Sequence, residues 1–89
     1  MTKVKGKNKG KITLYGLSTC VWCKKTKQLL DELGVEYEYV FVDEYSGAER
    51  EALVREMSKY NPRGSYPTVI INGQGIVGFQ DEQIEGLLR

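Results

Sequence analysis

Hydrophobic positions recur along the chain with two alternating periods, and the switches between them mark out the elements. Lys11-Ile12-Thr13-Leu14-Tyr15 is a β-branched and aromatic run that stops at Gly16, which predicts a first strand. Ser18 or Thr19 then supplies a cap for a helix beginning near Cys20. Within that helix Cys23, Thr26, Leu30 and Leu33 fall three and four residues apart, and Leu29 widens the stripe. Lys24, Lys25, Lys27, Gln28, Asp31 and Glu32 take the wetter side, and Gly34 is the natural stop. The run from Glu36 to Val42 begins in alternation and ends continuously apolar, as in a strand whose far end is covered on both faces. Strand, helix and strand form a βαβ unit, for which a right-handed crossover is expected.

The second half follows the same logic. Asp43 to Gly47 reads as a loop, with Ser46 and Glu49 at capping-box spacing. The next helix places Leu53, Met57 and Tyr60 on one face, with Glu51 and Arg55 at pairing distance on another, and Pro62 ends it. A loop rich in turn residues runs from Asn61 to Pro67. Thr68-Val69-Ile70-Ile71 is a strand, Asn72-Gly73 a strong hairpin signal, and Gln74-Gly75-Ile76-Val77 the returning partner. Asp81 is a good cap for a last helix with Ile84, Leu87 and Leu88 turned inward. The predicted order is β-α-β-α-β-β-α, an α/β fold with a four-stranded mixed sheet flanked by three helices. No repeat, linker or second domain is visible.

Charge changes the picture at one end only. Five of the thirteen basic residues, Lys3, Lys5, Lys7, Lys9 and Lys11, lie in the first eleven positions without an acid among them. The rest of the chain holds eight basic groups against all twelve acids. Residues 1–10 therefore read as a flexible, basic, solubilising arm, and residues 11–89 as the folded domain. The arm has no aromatic residue on which a base might stack, so nucleic acid is not an expected partner. No apolar run approaches the roughly 20 residues that cross a bilayer, and no apolar signal region precedes the first strand. A cytoplasmic, reducing setting, no membrane association and a monomeric state are the expectations.

The chemistry concentrates in Ser18-Thr19-Cys20-Val21-Trp22-Cys23-Lys24-Lys25, which holds both cysteines of the protein. Dithiol chemistry needs one thiol at an open helix N-terminus, where unpaired N–H groups favour a thiolate, and a second within one turn. The helical register puts Cys23 at the margin of the core-facing stripe and leaves Cys20 in the first turn, so Cys20 is the exposed thiol and Cys23 the sheltered one. The chain has no histidine, which removes Ser–His and Cys–His catalytic pairs. A zinc site built on the pair lacks its second half unless carboxylates or another chain supply it. A purely structural disulfide here closes too small a loop to add much stability.

A strand followed by Cys-x-x-Cys at a helix start resembles the thioredoxin-like redox motif, and the element order resembles its glutaredoxin branch. Three features between residues 11 and 89 carry the resemblance: Ser18 to Cys23 after the first strand, Tyr66-Pro67-Thr68 opening the third, and Gly78-Phe79-Gln80-Asp81 before the last helix. It implies a cis-proline at Pro67 facing the disulfide, and a Gly-Gly-x-x-Asp-like segment at 78–81. Within the branch the chain is most similar to the NrdH-redoxins. Val21 follows the first cysteine as is usual there, and Gly78-Phe79 resembles their Ser-Gly-Phe, although Gln80-Asp81 replaces the usual Arg-Pro.

The resemblance implies a dithiol–disulfide oxidoreductase and electron carrier. It would be reduced by a thioredoxin-reductase-like or ferredoxin-dependent disulfide reductase and would deliver electrons to ribonucleotide reductase or other disulfide-containing proteins. No cofactor is expected beyond the redox-active Cys20–Cys23 disulfide. Cys20 attacks and Cys23 resolves, with Thr19 and Lys24 or Lys25 favouring the thiolate and Val21, Trp22, Tyr66, Pro67, Gly78 and Phe79 meeting the partner. Trp22 and Tyr15 are expected to form an apolar rim. The alternatives are an iron–sulfur carrier, with Cys20 ligating a cluster bridged between two chains with bound glutathione as in some glutaredoxins, and a glutathione-dependent glutaredoxin. For that reading Asp81 matches the acid that holds the glutathione amine, and Arg63 could supply a positive group. Against it, Leu17 stands where a basic residue is usual, Ser65-Tyr66-Pro67 replaces Thr-Val-Pro, and Val77-Gly78 replaces the double glycine.

Overall fold

The computed structural model describes residues 1–89. Its elements run β1 (Thr2–Val4), β2 (Ile12–Gly16), α1 (Val21–Leu33), β3 (Tyr37–Phe41), a 3-10 turn (Val42–Glu44), α2 (Gly47–Ser58), β4 (Thr68–Ile71), β5 (Gln74–Val77) and α3 (Asp81–Leu88). The sheet is ordered β1-β3-β2-β4-β5. Strands β2 and β3 are parallel, and the other neighbours are antiparallel. This is a mixed α/β, thioredoxin-like fold with three helices. The sheet has five strands, not the expected four.

The fifth strand comes from the segment read as a flexible arm. Thr2–Val4 pairs antiparallel with β3, Thr2 opposite Tyr39 and Val4 opposite Tyr37. Lys7 N–H donates to the Gly34 carbonyl at 2.9 Å, and Glu36 N–H donates to the Lys7 carbonyl at 2.8 Å. Gly6 lies so close to the chain at 34–35 that a Cβ there would sit 2.6 Å from the Gly34 oxygen. The segment is thus tied to the domain through backbone groups, which its lysine-rich side chains do not advertise.

Each strand sorts its side chains by the period of two. Ile12 and Leu14 of β2, Val69 and Ile71 of β4, and Ile76 of β5 meet Leu30 of α1 and Ile84 and Leu88 of α3. Tyr15, Val40 and Ile70, pointing the other way, meet Val42 of the 3-10 turn and Met57 of α2. The sheet is covered by α1 and α3 on one face and α2 on the other, so β2 is buried along its length. That burial corrects the expectation for Tyr15, which is a core residue and not part of a rim.

Several local expectations also shift. β3 stops at Phe41 because Val42 turns into the 3-10 segment and buries there. Ser46 caps α2 by position, without a side-chain hydrogen bond, and Glu51 and Arg55 form no ion pair. Tyr60 and Leu87 are exposed where an inward orientation was expected. Gln80, not Asp81, is the cap position of α3, and Asp81 Oδ1 accepts the Glu82 N–H at 3.0 Å. No helix is long and apolar enough to cross a membrane.

Candidate functional site

The dithiol is built at the turn where β2 becomes α1. β2 ends at Gly16 against the buried cysteine, since a Cβ on Gly16 would stand 3.0 Å from Cys23 Cβ and 3.3 Å from its Sγ. Glycine lets the strand reach the helix this closely. The chain then turns through Leu17, Ser18 and Thr19. The N-cap is Cys20 itself, not Ser18 or Thr19: its backbone is extended, and its Sγ accepts the Cys23 N–H at 3.2 Å. A sulfur thereby takes the place of the hydroxyl or carboxylate that usually satisfies an orphan N–H in the first turn. Ser18 is used elsewhere, with its N–H and hydroxyl both donating to Asp43.

Both cysteines are free thiols in different surroundings. Cys20 is partly exposed, whereas Cys23 is 0% exposed and shares the buried face of α1 with Thr26 and Leu30. Cys23 Sγ accepts the Leu17 N–H at 3.5 Å. Burial, then a side-chain hydrogen bond with Cys20, push the Cys23 thiol up to about 12; the Leu17 N–H pulls the other way, and the charges of Cys20 and Asp43 add to the rise. Burial withholds water from the thiolate, so Cys23 keeps its proton at neutral pH.

Two consequences can be measured. At pH 8, brief treatment of the reduced, folded protein with iodoacetamide should add one carbamidomethyl group, at Cys20, with Cys23 reacting only after unfolding; mass spectrometry of peptides reads this. The raised Cys23 value also means that the unfolded chain loses this proton first, near 9.0. Its contribution to stability is therefore complete below about pH 9 and declines as the pH climbs toward 12. Tyr15, raised from 10.0 to about 12 chiefly by burial, acts in the same direction.

Beside Trp22, which separates the two cysteines in sequence, stands the loop that leads into β4. The Tyr66–Pro67 bond is cis, as the resemblance implied, and the Gly78 N–H donates to the Pro67 carbonyl at 2.8 Å. Gly78 has a φ of 81°, a conformation that favours glycine, and this brings the end of β5 back over the proline. Trp22, Tyr66, Pro67, Gly78 and Phe79 line one shallow groove of about 240 Å³. Trp22 is 54% exposed and stacks on Phe79 with ring centroids 5.6 Å apart. Lys25 Nζ lies 5.0 Å from the Trp22 ring centroid on a cation–π contact.

The expected site residues thus separate. Trp22, Tyr66, Pro67, Gly78 and Phe79 come together in the groove, and Cys20 and Cys23 meet at the start of the helix that carries Trp22. Val21, Thr19 and Lys24 flank the cysteines as exposed side chains. Arg63 is exposed in the loop before β4, where only its backbone N–H is engaged, with Asn61 Oδ1 at 3.2 Å. Asp81 is exposed and turned to its own helix. No group of three or more His, Cys, Asp or Glu stands close enough to hold a metal ion.

Lys25, expected to favour the thiolate, packs on Trp22. Two positions, Asp43 and Asn61, went unnoticed in the sequence: Asp43 holds the turn before Cys20. Asn61 is 2% exposed, and its Nδ2 donates to the Ser65 carbonyl, Ser65 Oγ and Thr68 Oγ1 at 2.9–3.1 Å. It pins both ends of the segment that carries Pro67. The only signal for Asn61 is a lone amide between a helix end and Pro62, and for Asp43 an acid directly after an apolar strand.

With this geometry in place, comparison with known proteins is specific. Residues 12–76 match the glutaredoxin family profile. The chain superimposes on the crystal structure of methanoredoxin from Methanosarcina acetivorans with a TM-score of 0.90 and 52% identity, covering 93% of this chain and 88% of that one. A glutaredoxin from Methanosarcina mazei gives 0.89 and 52%, covering 97% and 85%. A glutaredoxin-like 8.6 kDa protein from a rubredoxin operon of Clostridium pasteurianum is 35% identical over 78 residues, which are 88% of this chain and 97% of that protein.

Proposed function

The chain belongs to the glutaredoxin family of thiol–disulfide oxidoreductases, and from that premise we propose that it is an NrdH-redoxin-like electron carrier acting through Cys20 and Cys23. In this reading a disulfide reductase of the thioredoxin-reductase or ferredoxin-dependent type reduces it, and it reduces ribonucleotide reductase or other disulfide proteins in a reducing cytoplasm. The observation that carries the cycle is the unequal pair: a partly exposed N-cap sulfur receiving the Cys23 N–H, and a buried thiol that keeps its proton.

Cys20 thiolate attacks one sulfur of the substrate disulfide. That S–S bond breaks, a mixed disulfide forms, and the first substrate thiolate leaves and takes up a proton from water. Cys23 then gives up its proton and attacks Cys20 Sγ, which expels the second substrate thiolate. Two electrons have passed to the substrate, and the protein is left with a Cys20–Cys23 disulfide for the reductase to reopen. The groove beside Pro67 suits an extended partner backbone, with Trp22, Tyr66 and Phe79 offering apolar surface to residues next to the substrate cysteine.

Glutathione-dependent reduction is the second reading, favoured by the exposed Asp81 at the start of α3 and by the family itself. Parallel assays separate the two. The oxidised protein is offered NADPH with thioredoxin reductase, or NADPH with glutathione and glutathione reductase. Turnover with the reductase at least about tenfold faster than with glutathione is expected; efficient turnover with glutathione alone overturns the NrdH-like assignment while leaving the dithiol chemistry intact.

A further inference from the structure

The turn between β2 and α1 is held from outside by one carboxylate. Asp43 lies just beyond β3, 25 residues from Ser18. Its Oδ1 accepts the Ser18 N–H at 2.8 Å, and its Oδ2 accepts the Ser18 hydroxyl. The neighbouring residue, Leu17, spends both of its backbone groups on the dithiol: its N–H donates to Cys23 Sγ at 3.5 Å, and its carbonyl accepts the Cys20 N–H at 3.1 Å. The Cys23 N–H in turn donates to Cys20 Sγ at 3.2 Å. The carboxylate and both sulfurs are therefore linked through these hydrogen bonds and the Leu17–Ser18 peptide bond between them.

We propose that Asp43 is a positioning residue of the dithiol: by gripping Ser18 with both oxygens it fixes the turn that sets the hydrogen bonds at Cys23 Sγ and presents Cys20. The proposal deepens the oxidoreductase reading and rests on it. Several observations agree. The two hydrogen bonds from Ser18, the side-chain one first, hold the Asp43 carboxyl below the usual carboxylate range, so the grip is that of an ionised group at neutral pH. Arg50 of α2 lowers it further, and the Asp43 charge is one of the influences that keep the proton on Cys23. The hydrogen bonds at the sulfurs favour the dithiol over the disulfide to the extent that the turn is held in place.

The test compares Asp43→Ala, Ser18→Ala and the double variant. Each is equilibrated with a dithiothreitol redox buffer at a temperature well below its own thermal midpoint, and the dithiol-to-disulfide ratio is read after acid quenching and alkylation. Asp43→Ala should move the equilibrium about fivefold toward the disulfide, the scale of losing one or two hydrogen bonds. Ser18→Ala, which keeps the backbone bond, should move it less. The double variant should match Asp43→Ala alone, because both substitutions break one contact. Equilibrium constants within twofold of the wild type in both single variants, whatever happens to thermal stability, overturn the proposal, as does strict additivity in the double variant. If Asp43→Ala does not fold, Ser18→Ala alone decides: a measurable shift toward the disulfide supports the proposal and none overturns it. Activity retained by Cys20→Ser counts against the oxidoreductase reading instead, so the two failures are distinguishable.

Discussion

Cys20→Ser is expected to abolish reduction of insulin or of a small aromatic disulfide, by at least about a thousandfold, because a serine hydroxyl cannot replace the attacking thiolate. Cys23 cannot substitute for it. Cys23 is fully buried and pushed up to about 12, so it presents neither an accessible sulfur nor a thiolate near neutral pH. Cys23→Ser should behave differently, stalling after the first step and leaving a mixed disulfide on Cys20 that mass spectrometry can detect. The contrast between the two variants carries the information: full dithiol-dependent activity in Cys20→Ser would falsify the assignment of roles. Serine at 23 also leaves a buried hydroxyl where Leu17 donates a hydrogen bond, so the variant should remain folded.

Asn61→Ala should cause the largest loss of stability outside the hydrophobic core. Removing the amide leaves the Arg63 N–H without its Asn61 Oδ1 acceptor and strips the Nδ2 donor from Ser65 and Thr68 at once. One of these four bonds is buried and three are part-buried, and a typical hydrogen bond lost costs about 0.5–1.5 kcal/mol, so a total of about 2–3 kcal/mol is expected. In a domain of this size that corresponds to a fall in Tm of about 10–20 °C, measurable by circular dichroism. Thr68→Val, which removes one partner of the amide and the hydroxyl's own bond to the Ser65 carbonyl but leaves the amide its two contacts at Ser65, should cost about 1–2 kcal/mol. Because residues 61–68 frame Pro67, the Asn61→Ala protein should also lose activity at temperatures where it is still folded.

What the sequence disclosed divides along the range of the interactions. The Asn72-Gly73 hairpin is legible because its demand is local: φ is 49° at Asn72 and 86° at Gly73, and few other residue pairs adopt both. The same holds for the α1 stripe of Cys23, Thr26 and Leu30, where periodicity alone selects the buried face, and for β4, whose unbroken apolar run is buried at every position. Tyr15 was misplaced because alternation gives the two sides of a strand but not what covers each; α2 buries the second side of β2. Asp43 and Ser18 are separated by 25 positions, and no spacing rule links them. The first strand escaped for a related reason. Its pairing is supplied by β3, while its own Lys, Gly and Asn residues argue for a solvated chain.

That first strand has a bearing on the behaviour of the protein in concentrated solution. β3 carries Tyr37, Tyr39, Val40 and Phe41, a sequence well suited to recruiting another copy of itself if its outer hydrogen-bonding groups were open. Thr2–Val4 pairs along Tyr37 to Tyr39, and the exposed Lys3 and Lys5 bring positive charge to the new outer boundary. Lys3 thus sets a positive charge in the edge strand next to the most aromatic strand of the sheet, where charge disfavours pairing with another copy.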